Sequence, residues 1–69
     1  MEIEVKLSEP YIELFKLLKL KRVAENGGQA KMMIEDECAY LNGELELRKR
    51  AKIRPGDVVE IFDYVIRVI

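Results

Sequence analysis

The sequence predicts an α+β fold in which two helices form a helix-turn-helix that packs on a small, mostly antiparallel sheet. Three features predict this class. Ile3, Val5 and Leu7 alternate with charged residues, as in a half-buried strand. Apolar residues then recur at helical spacing in two successive windows of the chain. Finally, residues 38–69 show short strand patterns between turn signals.

The first helix is predicted over residues 9–20. Ser8 is a good N-cap, and Glu9 and Pro10 follow in the first turn, where acids and proline are both favoured. The apolar stripe expected to face the core contains Tyr11, Ile12, Leu14, Phe15, Leu17 and Leu18. The two aromatic side chains of this stripe are interpreted as core residues rather than as platforms for stacked bases.

The second helix is predicted to begin after Asn26 and to end near Glu37. Asn26 is a favoured N-cap, and Gln29 stands three residues later, as in a capping box. The side chains expected to face the core are Ala30, Met33 and Ile34, and Met32 is expected to fill a gap in the packing. Because only five or six residues separate the two helices, they should pack against each other.

The C-terminal half is predicted to form two hairpins. Asn42-Gly43 is a strong hairpin signal with two alternative registers. A two-residue turn pairs Leu41 with Glu44 and groups Cys38, Tyr40, Leu45 and Leu47 on one face, whereas a longer loop turns Ala39 and Leu41 inward. Pro55-Gly56 fits a type II turn, and residues 58–61 and 65–69 are predicted to form the closing hairpin.

The composition excludes several classes of protein. The 69 residues are enough for one domain, predicted to span residues 1–69. With no His and only Cys38, the chain lacks the usual zinc ligands and the commonest general base. The lone cysteine, and the absence of a signal-peptide or membrane-span pattern, predict a cytoplasmic protein. We expect a monomer that is not an enzyme and that needs no cofactor.

The formal net charge is only −1, but the charges are unevenly distributed. The bases form two blocks that contain no acid: Lys16, Lys19, Lys21 and Arg22, then Arg48, Lys49, Arg50, Lys52 and Arg54. A dense positive block repels itself unless a partner neutralises it, and arginine matches the geometry of phosphate oxygens. The second block is therefore interpreted as a contact for RNA or DNA. The alternative is a solvated connection that keeps the protein soluble.

The start of the second helix is another candidate site. The amide groups of Gly27, Gly28 and Gln29 carry the positive end of the helix dipole, which favours an anion, and Lys31 lies one turn further on. The alternative is that these glycines are merely tolerated at a helix entrance.

The first basic block divides into two parts. Lys16 and Lys19 lie on the first helix, where bases near the end simply suit the helix dipole. Lys21 and Arg22 lie in the turn between the helices and flank the entrance of the second helix, so they are better candidates for binding.

Taken in order, these features resemble the S-four RNA-binding domain, a family whose shared core is called the αL motif. The resemblance rests on Leu-Lys-Leu near the end of the first helix, Gly-Gly-Gln-Ala-Lys opening the second, Asn-Gly after a strand, the basic stretch, and Arg-Pro-Gly-Asp-Val-Val-Glu-Ile. It covers about residues 8–61. The chain is more similar to the small stand-alone bacterial members than to the copies attached to pseudouridine synthases or tyrosyl-tRNA synthetases.

The resemblance implies an RNA-binding face built from the helix-turn-helix and the neighbouring hairpin loop. The residues assigned to this face are Lys21, Arg22, Gly28, Gln29, Lys31, Arg48, Lys49 and Arg50, and Lys52 is added from the basic block. Many members carry one arginine at the start of the first helix and another directly after the second-helix cap. This chain has residues 9–11 and Gly27 at those places, so the later basic block is expected to supply more of the attraction.

The sequence therefore predicts a non-catalytic protein that binds structured RNA, such as ribosomal RNA or a tRNA-like fold, through shape and phosphate geometry. The alternative is a small adaptor, in which the strand at residues 3–7 or the C-terminal hairpin pairs with a strand of a partner protein.

Overall fold

The computed structural model describes residues 1–69. The helices are α1 (Leu14–Leu20) and α2 (Gly27–Glu35). The strands are β1 (Glu2–Val5), β2 (Ile12–Glu13), β3 (Ala39–Leu41), β4 (Glu44–Leu45), β5 (Lys52–Ile53), β6 (Val58–Ile61) and β7 (Tyr64–Val68). The predicted α+β class, with a helix-turn-helix and a mostly antiparallel sheet, is confirmed.

Five strands form the main sheet in the order β1-β7-β6-β3-β4. β1 runs parallel to β7, and all other neighbours in this sheet are antiparallel. β2 and β5 form a separate two-stranded antiparallel ribbon. Since β6 and β7 each have a neighbour on both sides, the C-terminal hairpin has no free edge for a partner strand. The adaptor alternative keeps only the β1 edge.

The hydrophobic core lies between the two helices and one face of the main sheet. Its largest fully buried side chains are Leu14, Leu17, Leu18, Ile34, Ile53, Val59, Ile61, Ile66 and Val68. They come from α1, α2, β5, β6 and β7, so burial of these side chains holds the helices and both sheets together. Burial also explains why α1, with only seven residues, is stable in this context.

α1 begins at Leu14, so the start predicted near residue 9 and the Ser8 N-cap are wrong. Residues 8–10 form a bend, and Ile12 and Glu13 are extended because they pair with β5. The later start also moves Tyr11 off the helical stripe. Its side chain is 41% exposed rather than part of the core.

α2 begins as predicted, with the Asn26 side chain accepting a hydrogen bond from the Gln29 amide at 2.8 Å. The helix ends at Glu35, two residues earlier than expected. Glu37 stops it by adopting a left-handed conformation, with φ at 63°. Met32 lies on the outer side of α2 and is 63% exposed, so the prediction that it fills a packing gap is wrong.

The Asn42-Gly43 hairpin has the register of a two-residue turn, with Leu41 opposite Glu44 and Tyr40 opposite Leu45. Both turn residues have positive φ, 51° and 86°, as a type I′ turn requires. However, Ala39 and Leu41 face the core, because β3 also pairs with β6, whose alternate residues are buried. Of the group expected on one face with this register, Tyr40, Leu45 and Leu47 are exposed and only Cys38 packs on the core. The two-residue turn is therefore correct, but the inward side chains are those expected for the longer loop.

Candidate functional site

The basic segment, residues 48–54, is attached to the start of α1 through its own backbone. The amide groups of Leu14 and Phe15 donate to the carbonyl oxygens of Ala51 at 2.9 Å and Lys49 at 3.0 Å. These are two of the amide groups that a helix cannot bond internally. The basic segment therefore caps α1, and α1 in turn fixes the position of the segment.

Four cationic side chains of this segment surround one shallow depression of about 480 Å³. It is lined by Arg48, Arg50, Ala51, Lys52 and Arg54, and no carboxylate lines it. Ala51 is buried and anchors the segment, while the four cations project to the surface. We call this feature the basic depression. Its positive lining suits an anion with several oxygen atoms.

The Phe15 ring brings cations from three parts of the chain together. The Nζ atom of Lys31, on α2, lies 4.7 Å from the ring centroid, and the guanidinium carbon of Arg50 lies 5.2 Å from it. The Nζ atom of Lys16 lies 5.9 Å away. The attraction of each cation to the ring offsets part of their mutual repulsion. This Phe15 cluster connects α2 to the basic depression through Arg50.

The entrance of α2 packs directly on the same ring. A Cβ atom added to Gly27 would lie 3.7 Å from two Phe15 ring carbons, so the backbone of Gly27 lies directly beside the ring. The amide groups of Gly27 and Gly28, in the first turn, have no acceptor within the helix. The side-chain oxygen of Gln29 accepts from the Glu25 amide, so Gln29 helps to hold the helix start in place.

Three predicted binding residues pair with carboxylates. Two of these carboxylates lie far away along the sequence, and the third is buried. Arg48 binds Glu46 with both its Nε and Nη2 atoms, each at 3.0 Å. Lys49 pairs with Glu35 at the end of α2. Arg50 pairs with Glu13 at 3.3 Å. By contrast, Lys31, Lys52 and Arg54 make no ion pair, so their charges are free to meet an external anion.

The two carboxylates that pair with Arg50 and Arg48 of the basic depression, Glu13 and Glu46, are held in the ionised form. The hydrogen bond from Lys16, and then that from Arg50, lowers the pKa of Glu13 below its ordinary value. The side-chain hydrogen bond from Arg48 lowers the pKa of Glu46 in the same way, although partial burial opposes the shift. Both ion pairs are therefore intact at neutral pH.

Lys21 and Arg22 lie at the other end of α1, about 10 Å along the helix axis from Phe15 for a seven-residue helix. Neither makes an ion pair. Arg22 occupies a left-handed position, with φ at 59°, and its amide and that of Val23 bond back to Lys19 and Leu18. This is the helix-ending arrangement in which glycine is the favoured residue.

Neither helix is long and apolar enough to cross a membrane. No three His, Cys, Asp or Glu side chains are grouped so that they could hold a metal ion.

The sequence profile of the S4 domain family matches residues 5–69, nearly the whole chain. The chain belongs to the S4 domain family. The resemblance predicted from the motifs is thereby confirmed.

Two bacterial relatives and one solved structure are similar to this S4 domain along most of their length. YbcJ of Escherichia coli (strain K12) is 38% identical over 60 residues, which cover 87% of this chain and 86% of YbcJ. The "Probable ribosome maturation protein RlbA" of Bacillus subtilis (strain 168) is 35% identical over 57 residues, which cover 83% and 80%. The solution structure of Escherichia coli YbcJ, described as revealing an αL motif involved in RNA-binding, matches with a TM-score of 0.74 and 36% identity. That match covers 96% of this chain and 85% of YbcJ.

Two sequence motifs of this S4 domain form a clamp next to the basic depression. The Asn42 amide group donates to Asp57 at 3.0 Å, and the Asn42 side-chain oxygen accepts from the Val58 amide at 2.9 Å. Asp57 also accepts from the Arg54 amide at 2.8 Å. The Asn-Gly and Arg-Pro-Gly-Asp motifs therefore join two turns and fix the end of the basic segment.

Sequence reasoning missed two residues of the site in this S4 domain. Arg54 was recognised only as part of the basic block, although it lines the depression with Arg48, Arg50 and Lys52. Phe15 was assigned to the core, and it is 92% buried, yet its ring organises the cations above it. For Arg54, the alternation of cations with the buried Ala51 and Ile53 is a signal that could have found it. For Phe15 there was no such signal.

Proposed function

We propose that this S4 domain binds structured RNA and catalyses no reaction. The observation that carries the proposal is the basic depression, in which Arg48, Arg50, Lys52 and Arg54 converge with no carboxylate in the lining. Phosphate oxygens match the planar donors of arginine and the point charge of lysine. The domain acts in the cytoplasm and as a monomer.

The neighbouring Phe15 cluster extends the positive surface onto the helix-turn-helix. Lys31 offers an unpaired charge beside the entrance of α2, where the Gly27 and Gly28 amide groups have no acceptor within the helix. One phosphate at this entrance and others on the depression would follow the backbone of a folded RNA. Gly28 and Lys31 therefore contact the RNA at one end of the surface. Gln29, whose backbone amide already donates to Asn26, can reach the RNA only through its side-chain amide group.

The remaining predicted residues contact the RNA at the edges of this positive surface. Lys49 reaches RNA from its ion pair with Glu35, which is exposed and easily exchanged for a phosphate. Lys21 and Arg22 contact the same RNA further along, beyond the far end of α1. Such a spread of contacts favours an RNA of defined shape over an isolated strand.

The class of RNA is proposed from the relatives. The YbcJ structure is described in terms of a motif involved in RNA-binding, and the name of RlbA refers to ribosome maturation. We infer that the ligand of this S4 domain is ribosomal RNA or an RNA with a tRNA-like fold, bound on its own or in a ribosomal particle.

The test is to purify tagged protein from lysate at low salt, sequence the RNA that accompanies it, and then titrate that RNA. If about four phosphates are engaged, log affinity should fall with log salt at a slope of about −3 to −4. The variant Arg54→Gln should weaken binding and reduce the slope by about one, because it removes a cation without leaving a carboxylate unpaired.

The matched control is Arg67→Gln, which also removes one charge. Arg67 lies on β7, on the side of the sheet away from the helices, and bonds Glu2 at 3.1 Å. It should leave RNA binding unchanged. Arg48 is unsuitable for this test, because its removal would leave the buried Glu46 without its partner.

Equal loss of affinity in Arg54→Gln and Arg67→Gln would show that the depression has no special role. An affinity independent of salt would contradict the proposal outright. Recovery of protein partners without RNA, from wild type and Arg54→Gln alike, would favour an adaptor that uses the β1 edge.

A further inference from the structure

A groove borders the N-terminal side of α1, next to the basic depression. Its volume is about 520 Å³, and its apolar lining comes from Val5, Leu7, Tyr11, Ile12 and Leu20. This volume lies in the range of sites that hold small organic groups. We call it the tyrosine groove, because Tyr11 is its one aromatic lining residue.

Tyr11 is an exposed aromatic residue in the lining of the groove. Tyr11 is 41% exposed. The Nζ atom of Lys52 lies over the ring, 5.0 Å from its centroid, but Lys52 does not line the groove. The contact with Lys52 therefore lies outside the groove, and Tyr11 still contributes exposed surface to the groove lining.

The groove and the basic depression are joined through the β2–β5 ribbon. Ile12 and Glu13 line the groove, and they pair with Ile53 and Lys52 of β5. Lys52 lines the depression and also contacts the Tyr11 ring. A chain of phosphates seated on the depression thus ends at the edge of the groove.

We propose that the tyrosine groove takes one unpaired nucleotide of the RNA held on the basic depression, with the base stacked on the ring of Tyr11. The inference rests on the proposed function, because the depression must first hold the RNA backbone. Stacking on aromatic side chains is the usual way in which proteins hold unpaired bases.

The charges around the groove set the direction of the nucleotide. The groove is lined by two carboxylates, Glu9 and Glu13, and by two lysines, Lys6 and Lys16, so its charges cancel. The depression is lined by four cations and no carboxylate, so it attracts a phosphate more strongly, while Glu9 can accept a hydrogen bond from an amino group of a base. The base therefore points into the groove and its phosphate remains on the depression.

The test compares two RNA probes at low ionic strength, where backbone contacts suffice for binding. One is a blunt RNA duplex, and the other is the same duplex with one bulged adenosine. The wild-type protein should bind the bulged duplex about tenfold more tightly, which lies in the lower part of the range that one base–aromatic stack contributes. In NMR spectra the ring protons of Tyr11 should shift upfield only with the bulged duplex.

Three variants locate the effect. Tyr11→Ala should lose the preference for the bulge but still bind the blunt duplex, and Tyr11→Phe, which keeps the ring, should retain the preference. Tyr40→Ala is the matched control. Tyr40 is exposed to a similar extent, 43%, but it lies on the face of the main sheet that points away from the helices. This variant should behave as the wild type.

The outcomes separate this inference from the function on which it rests. Equal affinity of the wild type for both duplexes, with salt-dependent binding, would overturn the groove and leave RNA binding intact. A preference that survives in Tyr11→Ala would also overturn it. Binding to neither duplex would remove both proposals together. A preference lost only in Tyr11→Ala would establish the groove as the nucleotide site.

Discussion

The two helices of this S4 domain begin in different ways. α2 is capped by a side chain in its own sequence, since Asn26 accepts from the Gln29 amide three residues later. α1 is capped by carbonyl oxygens from residues 49 and 51, more than thirty positions away. The start of α2 is therefore a local property, whereas the start of α1 depends on tertiary structure. Because the basic segment is hydrogen-bonded to the start of α1, its position also depends on tertiary structure.

The largest expected effect comes from breaking the remote cap. Ala51→Leu places a larger side chain at a site that is 3% exposed, and overpacking of this kind costs about 1–3 kcal/mol of stability. Urea unfolding should show the loss. Hydrogen exchange should speed up at the Leu14 and Phe15 amides, whose acceptors move, while the Gln29 amide stays protected. Faster exchange at Gln29 to the same degree would show that the two starts are not independent.

Breaking the local cap should have a smaller effect. Asn26→Ala removes the acceptor for the Gln29 amide and should cost about 1 kcal/mol in urea unfolding. The Gln29 amide should lose protection and those of Leu14 and Phe15 should keep it. Asn26→Asp retains an acceptor and is the control. If Asn26→Ala were as stable as the wild type, the entrance of α2 would be held by Gln29 and packing alone.

The ends of the helices extend the comparison. Arg22 and Glu37 both stop a helix in the left-handed region, with φ at 59° and 63°. Replacing either by glycine should stabilise the protein by roughly 0.5–1 kcal/mol, because the strain of a side chain there exceeds the greater freedom of glycine in the unfolded chain. Thermal unfolding would measure both gains.

The two ends should differ in RNA binding. Arg22→Gly should weaken binding, whereas Glu37→Gly should not, because only Arg22 belongs to the proposed surface. Strain kept at one position for the sake of a contact is a common feature of functional sites. Equal binding by both variants would mean that Arg22 serves only to end α1.

The smallest expected effect is a dependence of stability on pH, in which the start of α1 is destabilised before the start of α2 as the pH falls. Because the pKa values of Glu13 and Glu46 are lowered in the folded protein, their ion pairs stabilise it above the ordinary value of 4.5. That stability is lost as the pH falls through the folded-state values. Asn26, at the start of α2, does not titrate.

Hydrogen exchange at several pH values below about 5 should therefore show the Leu14 and Phe15 amides losing protection before the Gln29 amide. Glu46→Gln should flatten the dependence of unfolding free energy on pH in this range. An unchanged pH profile in that variant would show that its pair with Arg48 adds little.

The same contrast explains what the sequence could predict. The cap at Asn26, the Asn42-Gly43 turn and the turn at Gly56 rest on neighbouring residues, and all three were predicted correctly. The late start of α1 was missed because its cap comes from a distant segment. The inward facing of Ala39 and Leu41 could be predicted only as one of two alternatives for a similar reason, since it depends on how β3 pairs with β6.

The candidate site also has features that neighbouring residues determine and features that depend on tertiary contacts. Its charge was predictable, because five cations in residues 48–54 are visible in the chain. The partners Glu13 and Glu35 could not be predicted, as they come from other elements and partly neutralise that charge. The grouping of Lys31 with Arg50 around Phe15 likewise depends on the packing of α1 against α2.

The clamp between Asn42 and Asp57 has a thermodynamic consequence for recognition. The basic segment is tied at one end to the α1 amides and at the other, through the Arg54 amide, to Asp57. Ordering a free loop on binding would cost about 1–2 kcal/mol of conformational entropy for each backbone residue fixed. Here that cost is met during folding, so the binding surface is preorganised before its ligand arrives.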